Sequence, residues 1–124
     1  VGAGCGYHAA VLGALAARVI TVELIPELAE MARQNLEKTG RAGNITVICG
    51  DGAKGWPESA PYEAISVAAA ADEVPPALLE QLAEGGRLVI PVGGSWEQEL
   101  RVIRKVGDQT PWRVATFCRF VPLR

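Results

Sequence analysis

A glycine-rich turn at the start of the chain has the composition of a ligand-binding loop. Gly2, Gly4 and Gly6 stand at alternate positions, and glycine permits both unusual backbone dihedrals and the close approach of a ligand to the main chain. The turn therefore predicts a nucleotide-like ligand. The dinucleotide fingerprint places another glycine or alanine five residues after the first, where this chain has Tyr7. The spacing therefore fits a nicotinamide cofactor poorly.

Two carboxylates follow the glycine turn at positions where each could bind part of a nucleoside. Glu23 stands 21 residues after Gly2, at the end of a β-branched run, where a carboxylate can accept hydrogen bonds from both ribose hydroxyls. Asp51 follows the next apolar run, where it could meet the adenine amino group while Gly52 leaves room for the ring. Taken singly, Glu23 could equally be a solvated surface residue and Asp51 a turn former. Their positions after successive strands, together with the glycine turn, favour the nucleoside interpretation.

Strand and helix patterns alternate along the chain, which predicts an α/β fold with a parallel sheet. The most regular helix pattern has acidic residues in its first turn, Lys38 in its last turn and Gly40 as a stop. After Gly85 and Gly86 the strands follow one another without a helix, so we expect an antiparallel addition at one edge of the sheet. The predicted helices cover residues 9–16, 27–38 and 76–83, and the predicted strands cover 18–23, 45–49, 62–68, 87–92, 99–106 and 112–121.

The composition indicates one ordinary globular domain and argues against several classes of partner. The 124 residues are 49% hydrophobic and carry a formal net charge of -2, so nothing suggests the clustered basic face that nucleic acid or an anionic membrane requires. No apolar stretch approaches the roughly 20 residues that span a bilayer, and we expect a cytoplasmic protein. Cys5, Cys49 and Cys118 form no C-x-x-C pair and have mostly apolar or glycine neighbours, which predicts reduced, mostly buried thiols and no metal site.

Several segments, taken in order and at matching spacing, resemble the protein-L-isoaspartate O-methyltransferase family. The most distinctive are G-D-G-x-K-G-W-P at residues 50–57, A-A-A-x-E-V-P at 69–75 and F-V-P-L at 120–123. Further matching segments are G-x-G-x-G-Y at 2–7, I-P-E-L-A-E at 25–30, A-P-Y-E-A-I at 60–65 and G-G-R-L-V-I-P-V-G at 85–93. The resemblance covers essentially the whole chain.

The resemblance implies a Rossmann-like class I methyltransferase sheet, mostly parallel with antiparallel C-terminal strands, and S-adenosyl-L-methionine as the cofactor. The cofactor-binding residues that it implies are Gly2, Gly4, Gly6, Glu23 and Asp51, with Leu24, Gly52 and Ala53 as neighbours of the ribose and adenine. Just beyond these residues, Trp56 either packs near the adenine or anchors its loop to the core.

The activity implied by the resemblance is methylation of the free carboxylate of L-isoaspartyl and D-aspartyl residues in damaged proteins, which starts repair through a succinimide. The expected partners are isoaspartyl-containing proteins and peptides, and we expect a monomer. Two alternatives remain open on the residues alone. One is an NAD-dependent oxidoreductase, and the other is a non-catalytic fragment that only binds the cofactor.

Members of the family carry a further strand before the glycine turn and, upstream of it, a Ser/Thr segment that faces the substrate. This chain begins at Val1, within the turn itself. We therefore expect residues 1–124 to be a single S-adenosylmethionine-binding domain, the C-terminal larger part of a longer chain with its first strand missing. No catalytic residue is assigned, because the substrate segment is expected upstream.

Overall fold

The computed structural model describes residues 18–38, 40, 43–94 and 97–119. They divide into two compact units, which meet in the sequence between Gly52 and Ala53. The elements in chain order are β1 (Val19–Glu23), α1 (Pro26–Lys38), β2 (Ile45–Cys49), β3 (Tyr62–Ser66), α2 (Pro76–Glu80), β4 (Leu82–Gly93), β5 (Gln98–Arg104) and β6 (Trp112–Cys118), with 3-10 turns at Gly52–Lys54 and Pro57–Ser59. Neither α1 nor α2 is long and apolar enough to cross a membrane. The predicted helix over 9–16 lies outside the described residues.

In the first unit, which ends at Gly52, β1 and β2 form a parallel pair. The register runs from Val19 opposite Ile45 to Glu23 opposite Cys49. Both strands confirm the sequence prediction. Because parallel strands run in the same direction, their carboxyl ends lie at one edge of the pair.

The helix α1 connects these two strands and packs small residues against them. It begins at Pro26, a position where the missing amide hydrogen of proline breaks no helical hydrogen bond. Ala29 and Ala32 are fully buried and pack with Val47 of β2 in the core of this unit. The predicted helix over 27–38 is confirmed.

The second unit, from Ala53 onward, contains a four-stranded sheet with the order β3-β4-β5-β6. β3 and β4 are parallel, whereas β4–β5 and β5–β6 are antiparallel. The predicted antiparallel addition is therefore confirmed. Leu78 of α2 packs with Leu82, Leu88 and Ile90 of β4 and with Ile103 of β5, and these side chains form the core of the unit.

The junction between α2 and β4 differs from the prediction. The helix expected over 76–83 ends at Glu80, and the strand expected from residue 87 begins at Leu82. Leu82 pairs with Tyr62 at the start of β3, and its side chain is almost fully buried. Tertiary pairing and burial thus override the local helix propensity of the leucine-rich segment.

Three predicted strands also end early. β3 ends at Ser66 instead of residue 68, although the backbone N–H of Val67 still donates to the carbonyl of Val89 at 2.9 Å. β5 ends at Arg104 instead of residue 106, because Val106 pairs with Gln109 across a turn. β6 ends at Cys118, since Arg119 lies outside the strand, and residues 120–121 of the predicted strand lie outside the described part of the chain.

We expect Gly86→Ala to destabilise the protein. A Cβ at residue 86 would lie 2.8 Å from the carbonyl oxygen of Ala83 and 3.0 Å from that of Tyr62. Overpacking of this kind costs about 1–3 kcal/mol of unfolding free energy. The control Gly94→Ala meets nothing within 4 Å, and its unfolding free energy should fall by no more than about 0.5 kcal/mol. Urea unfolding measures both variants, and equal stability would contradict the close packing at the start of β4.

Candidate functional site

Glu23 is the last residue of β1, and only 8% of its surface is exposed. Its carboxylate Oε1 accepts a hydrogen bond from the backbone N–H of Ile25 at 3.4 Å. Its backbone carbonyl accepts a hydrogen bond from the N–H of Gly50 at 2.8 Å. The position of the Glu23 carboxylate is therefore set by strand pairing and by the turn that leads into α1.

Asp51 and Gly52 follow the carboxyl end of β2. Asp51 is half-buried, and Gly52 is buried at the start of a 3-10 turn. Because Gly50 is bonded to the carbonyl of Glu23, the chain leaves β2 beside the end of β1. The structure thus brings Glu23 and Asp51 to the same edge of the parallel pair, which is where open α/β sheets place their ligands.

Of the other predicted cofactor residues, two are described by the structure and three are not. Leu24 directly follows Glu23, and 42% of its surface is exposed. Ala53 is the half-buried middle residue of the Gly52–Lys54 turn. The three predicted cofactor glycines, Gly2, Gly4 and Gly6, lie outside the described residues. That these eight positions bind a cofactor stays a prediction.

The described edge offers hydrogen-bond acceptors and an apolar surface. Ionised Glu23 and Asp51 present carboxylate oxygens, which accept hydrogen bonds and donate none. Ribose hydroxyls and the adenine amino group are donors that match them. The exposed Leu24 side chain can pack against a flat ring, since ligand sites combine apolar walls with a few placed polar groups. Among the described residues, no three His, Cys, Asp or Glu side chains are grouped as a metal site.

Sequence analysis missed Gln81, which holds the loop beyond the Gly52–Lys54 turn. Its carboxamide oxygen Oε1 accepts a hydrogen bond from the backbone N–H of Trp56 at 2.9 Å, and its Nε2 donates to the carbonyl of Lys54 at 2.8 Å. The backbone of Trp56 is therefore fixed, while the role of its side chain stays a prediction. In the sequence Gln81 stands beside another polar residue, Glu80, and no motif distinguishes it.

Cys49 contradicts the expectation of buried thiols. It is exposed, and its Sγ lies 3.8 Å from the carbonyl oxygen of Leu24, at the edge that carries Glu23. Cys49 is the last residue of β2 and does not belong to the core that α1 forms with Ile45 and Val47. Cys118 is half-buried, and its Sγ lies 3.7 Å from the carbonyl oxygen of Gln98. Burial raises the pKa of the Cys118 thiol, and the negative charge of Glu97 raises it further.

Two surface cavities of the second unit lie apart from the predicted residues. One measures about 340 Å³ and lies beside Trp112 and Arg113. The other measures about 380 Å³ and lies beside Phe117 and Cys118. Neither is lined by a predicted cofactor residue, and neither therefore bears on the nucleoside interpretation.

Comparison with known sequences gives one consistent result. A family model described as protein-L-isoaspartate(D-aspartate) O-methyltransferase matches residues 1–124. The chain is 54% identical over 127 residues to a protein-L-isoaspartate O-methyltransferase of Methanopyrus kandleri, an alignment that covers 99% of this chain and 56% of the relative. It is 49% identical over 134 residues to the protein of that name from Hyperthermus butylicus, with 99% and 56% covered. The chain spans about half the length of the curated relatives it matches.

Solved structures agree with the sequence comparison. A structure named protein-L-isoaspartate O-methyltransferase superimposes with a TM-score of 0.90 at 34% identity, covering 98% of this chain and 39% of the other. A Plasmodium falciparum structure, named as a protein-L-isoaspartate O-methyltransferase in complex with S-adenosyl-L-homocysteine, superimposes with a TM-score of 0.75 at 26% identity. That comparison covers 86% of this chain and 52% of the other.

The two described cysteines should differ in reactivity. At about pH 8, iodoacetamide should modify Cys49 faster than Cys118, because the thiolate is the reactive form and a raised pKa lowers its fraction. The rate at Cys118 should keep rising as the pH passes 9.0, the ordinary value for the group. Mass spectrometry of timed digests measures each site, and Cys118→Ser verifies the peptide assignment. Equal rates at the two thiols would contradict the described environments.

Proposed function

The chain belongs to the protein-L-isoaspartate(D-aspartate) O-methyltransferase family, and from this premise we propose that it is the cofactor-binding part of an S-adenosylmethionine-dependent carboxyl methyltransferase. It has the class I methyltransferase fold of that family. The proposed substrates are L-isoaspartyl and D-aspartyl residues of damaged proteins and peptides. The observation that carries the proposal is the arrangement of Glu23 and Asp51 at the carboxyl ends of neighbouring parallel strands.

The chemistry of the described residues fits the proposed cofactor. The carboxylate of Glu23 is suited to accept hydrogen bonds from the ribose hydroxyls, and that of Asp51 to accept one from the adenine amino group. The exposed side chain of Leu24 offers an apolar contact beside the buried carboxylate. Gly52 has no side chain to fill the space beside Asp51, and Ala53 adds only a methyl group. We assign Gly2, Gly4 and Gly6 to the methionine end of the cofactor on the family resemblance.

Bound S-adenosylmethionine supplies an electrophilic methyl group, which a substrate carboxylate oxygen receives while the sulfur keeps the electron pair as S-adenosylhomocysteine. The α-carboxyl group released by an isoaspartyl linkage titrates at about 3.3–3.7 and is ionised at neutral pH. No general base is therefore required of the chain. Its residues contribute alignment of the reactants and exclusion of water, which are the effects that accelerate a reaction between two preformed charges. The ester then loses methanol when the neighbouring backbone amide closes the succinimide.

We propose further that residues 1–124 form one S-adenosylmethionine-binding domain of a monomeric, cytoplasmic protein. The net charge of -2 supports the absence of a nucleic acid or membrane partner. Cys49 and Cys118 are free thiols, which supports a reducing compartment. The family match and the position of Tyr7 argue against the NAD-dependent alternative.

The decisive assay measures transfer of labelled methyl groups to an isoaspartyl peptide and to its normal aspartyl twin. It uses this chain and a version extended upstream to the length of its relatives. Base-labile label on the isoaspartyl peptide alone is the expected result, at least with the extended version. Label on neither peptide, from a folded extended protein that binds S-adenosylhomocysteine, would replace the enzyme proposal with a non-catalytic cofactor-binding module. Equal label on both peptides would refute the isoaspartyl specificity.

Glu23→Gln should weaken the binding of S-adenosylhomocysteine. Replacing the carboxylate removes a charge-assisted hydrogen bond to the ribose, worth about 1.5–3 kcal/mol of binding free energy. Because the shape of the side chain is kept, the unfolding free energy without ligand should change little. Isothermal titration calorimetry measures the affinity.

The matched control for this variant is Glu27→Gln, at an exposed position in the first turn of α1. This variant removes the same charge from the same unit but keeps the proposed contact between Glu23 and the ribose. Its affinity for S-adenosylhomocysteine should equal that of the unmodified protein. Equal affinities for the Glu23 and Glu27 variants would show that Glu23 does not hold the ribose.

A further inference from the structure

The loop beyond the Gly52–Lys54 turn is bound on both sides of Gly55 by one side chain. The Gln81 carboxamide accepts from the N–H of Trp56 and donates to the carbonyl of Lys54, at 2.9 and 2.8 Å. Gln81 is buried, with 8% of its surface exposed. One amide group thus pairs with the backbone as a neighbouring strand would, and it uses both its donor and its acceptor for the same loop.

The conformation of Gly55 is matched to this arrangement. Its φ of +62° lies in the left-handed region that residues with a Cβ rarely adopt. A Cβ at this position would also collide with the carboxamide of Gln81. The dihedral therefore favours glycine, and the absence of a side chain leaves room for the carboxamide beside the loop.

Gln81 is itself held by the core of the second unit. Its backbone N–H donates to the carbonyl of Ala77 at 3.1 Å, at the end of α2, and its carbonyl accepts from the N–H of Tyr62 at 2.8 Å. The hydroxyl of Tyr62 also donates to the carbonyl of Trp56. The loop is therefore connected by hydrogen bonds to the end of α2 and to the start of β3.

These bonds fix the chain where the proposed cofactor residues end. Lys54 is the last residue of the turn that begins with Gly52 and contains Ala53. Ordering a backbone residue costs conformational entropy. A turn that is already fixed in the free protein does not pay this cost when a ligand binds, and its affinity is correspondingly higher.

We propose that Gln81 is a positioning residue for cofactor binding, a role that rests on the function proposed above. By bonding to the backbone at Lys54 and Trp56, it holds the end of the Gly52–Lys54 turn in its binding conformation. Gln81 touches neither reactant. Its loss should therefore weaken the affinity for the cofactor and raise KM for S-adenosylmethionine, while kcat stays nearly constant.

The test compares Gln81→Leu with Gln98→Leu in the form of the protein that binds S-adenosylhomocysteine. Gln98 is a matched control, because it is also buried in the second unit and also donates from Nε2 to a backbone carbonyl, that of Gly94. Calorimetry is carried out at a temperature where both variants are folded. Gln81→Leu should bind S-adenosylhomocysteine about tenfold more weakly. Gln98→Leu should stay within about twofold of the unmodified protein.

Gln81→Glu keeps the inference testable if the leucine variant does not fold. The glutamate keeps an oxygen that accepts from the N–H of Trp56. Its second oxygen replaces the Nε2 donor and cannot donate to the carbonyl of Lys54, so one of the two hydrogen bonds is lost. Hydrogen exchange of the Trp56 amide in the free protein should stay slow in Gln81→Glu and become fast in Gln81→Leu. The affinity of Gln81→Glu should lie between those of the unmodified protein and Gln81→Leu.

Unchanged affinity in a folded Gln81→Leu or Gln81→Glu variant would overturn the positioning role while leaving the proposed function intact. An equal loss in Gln98→Leu would do the same, because the effect would then reflect general destabilisation. If the unmodified, upstream-extended protein binds no S-adenosylhomocysteine, the proposed function itself fails and the positioning role fails with it. Binding of S-adenosylhomocysteine by the unmodified protein therefore distinguishes a failure of the positioning role from a failure of the proposed function.

Discussion

The parallel register of β1 and β2 is the constraint on which the candidate site depends. Val47 of β2 is buried against Ala29 and Ala32 of α1, and a slip of one residue would turn every side chain of β2 to the opposite face. The apolar core therefore fixes the register that sets Glu23 opposite Cys49. Because Asp51 follows two residues later, packing of small residues beneath the strands determines where both carboxylates lie.

In the second unit, the entry of the chain into β4 has a comparable role. Burial of Leu82 ends α2 early and places Gln81 between the helix and the strand. From that position the backbone carbonyl of Gln81 accepts a hydrogen bond from the first residue of β3. Its side chain forms hydrogen bonds with the loop backbone on both sides of Gly55. A residue with no part in the chemistry thus links the core of this unit to the turn that contains Ala53.

The predictable features were those that depend on local pattern. β1, α1 and β2 follow from β-branched runs, from proline at the first helical position and from charges that match the helix dipole. The end of α2 was mispredicted, because pairing of Leu82 with Tyr62 is a contact between residues distant in sequence. Gln81 escaped notice for the same reason, since its partners become visible only in three dimensions. The exposure of Cys49 is a property of the packed structure, which its apolar and glycine neighbours in the sequence do not encode.

The central claim is that the carboxyl ends of β1 and β2 hold the adenosyl part of the cofactor. Hydrogen exchange with and without S-adenosylhomocysteine, followed by mass spectrometry on the upstream-extended protein, tests this claim most directly. The ligand should slow exchange most in the peptides that cover residues 23–25 and 50–54, which contain the two carboxylates and the residues that follow them. Strong protection elsewhere, with exchange in these two segments unchanged, would contradict it.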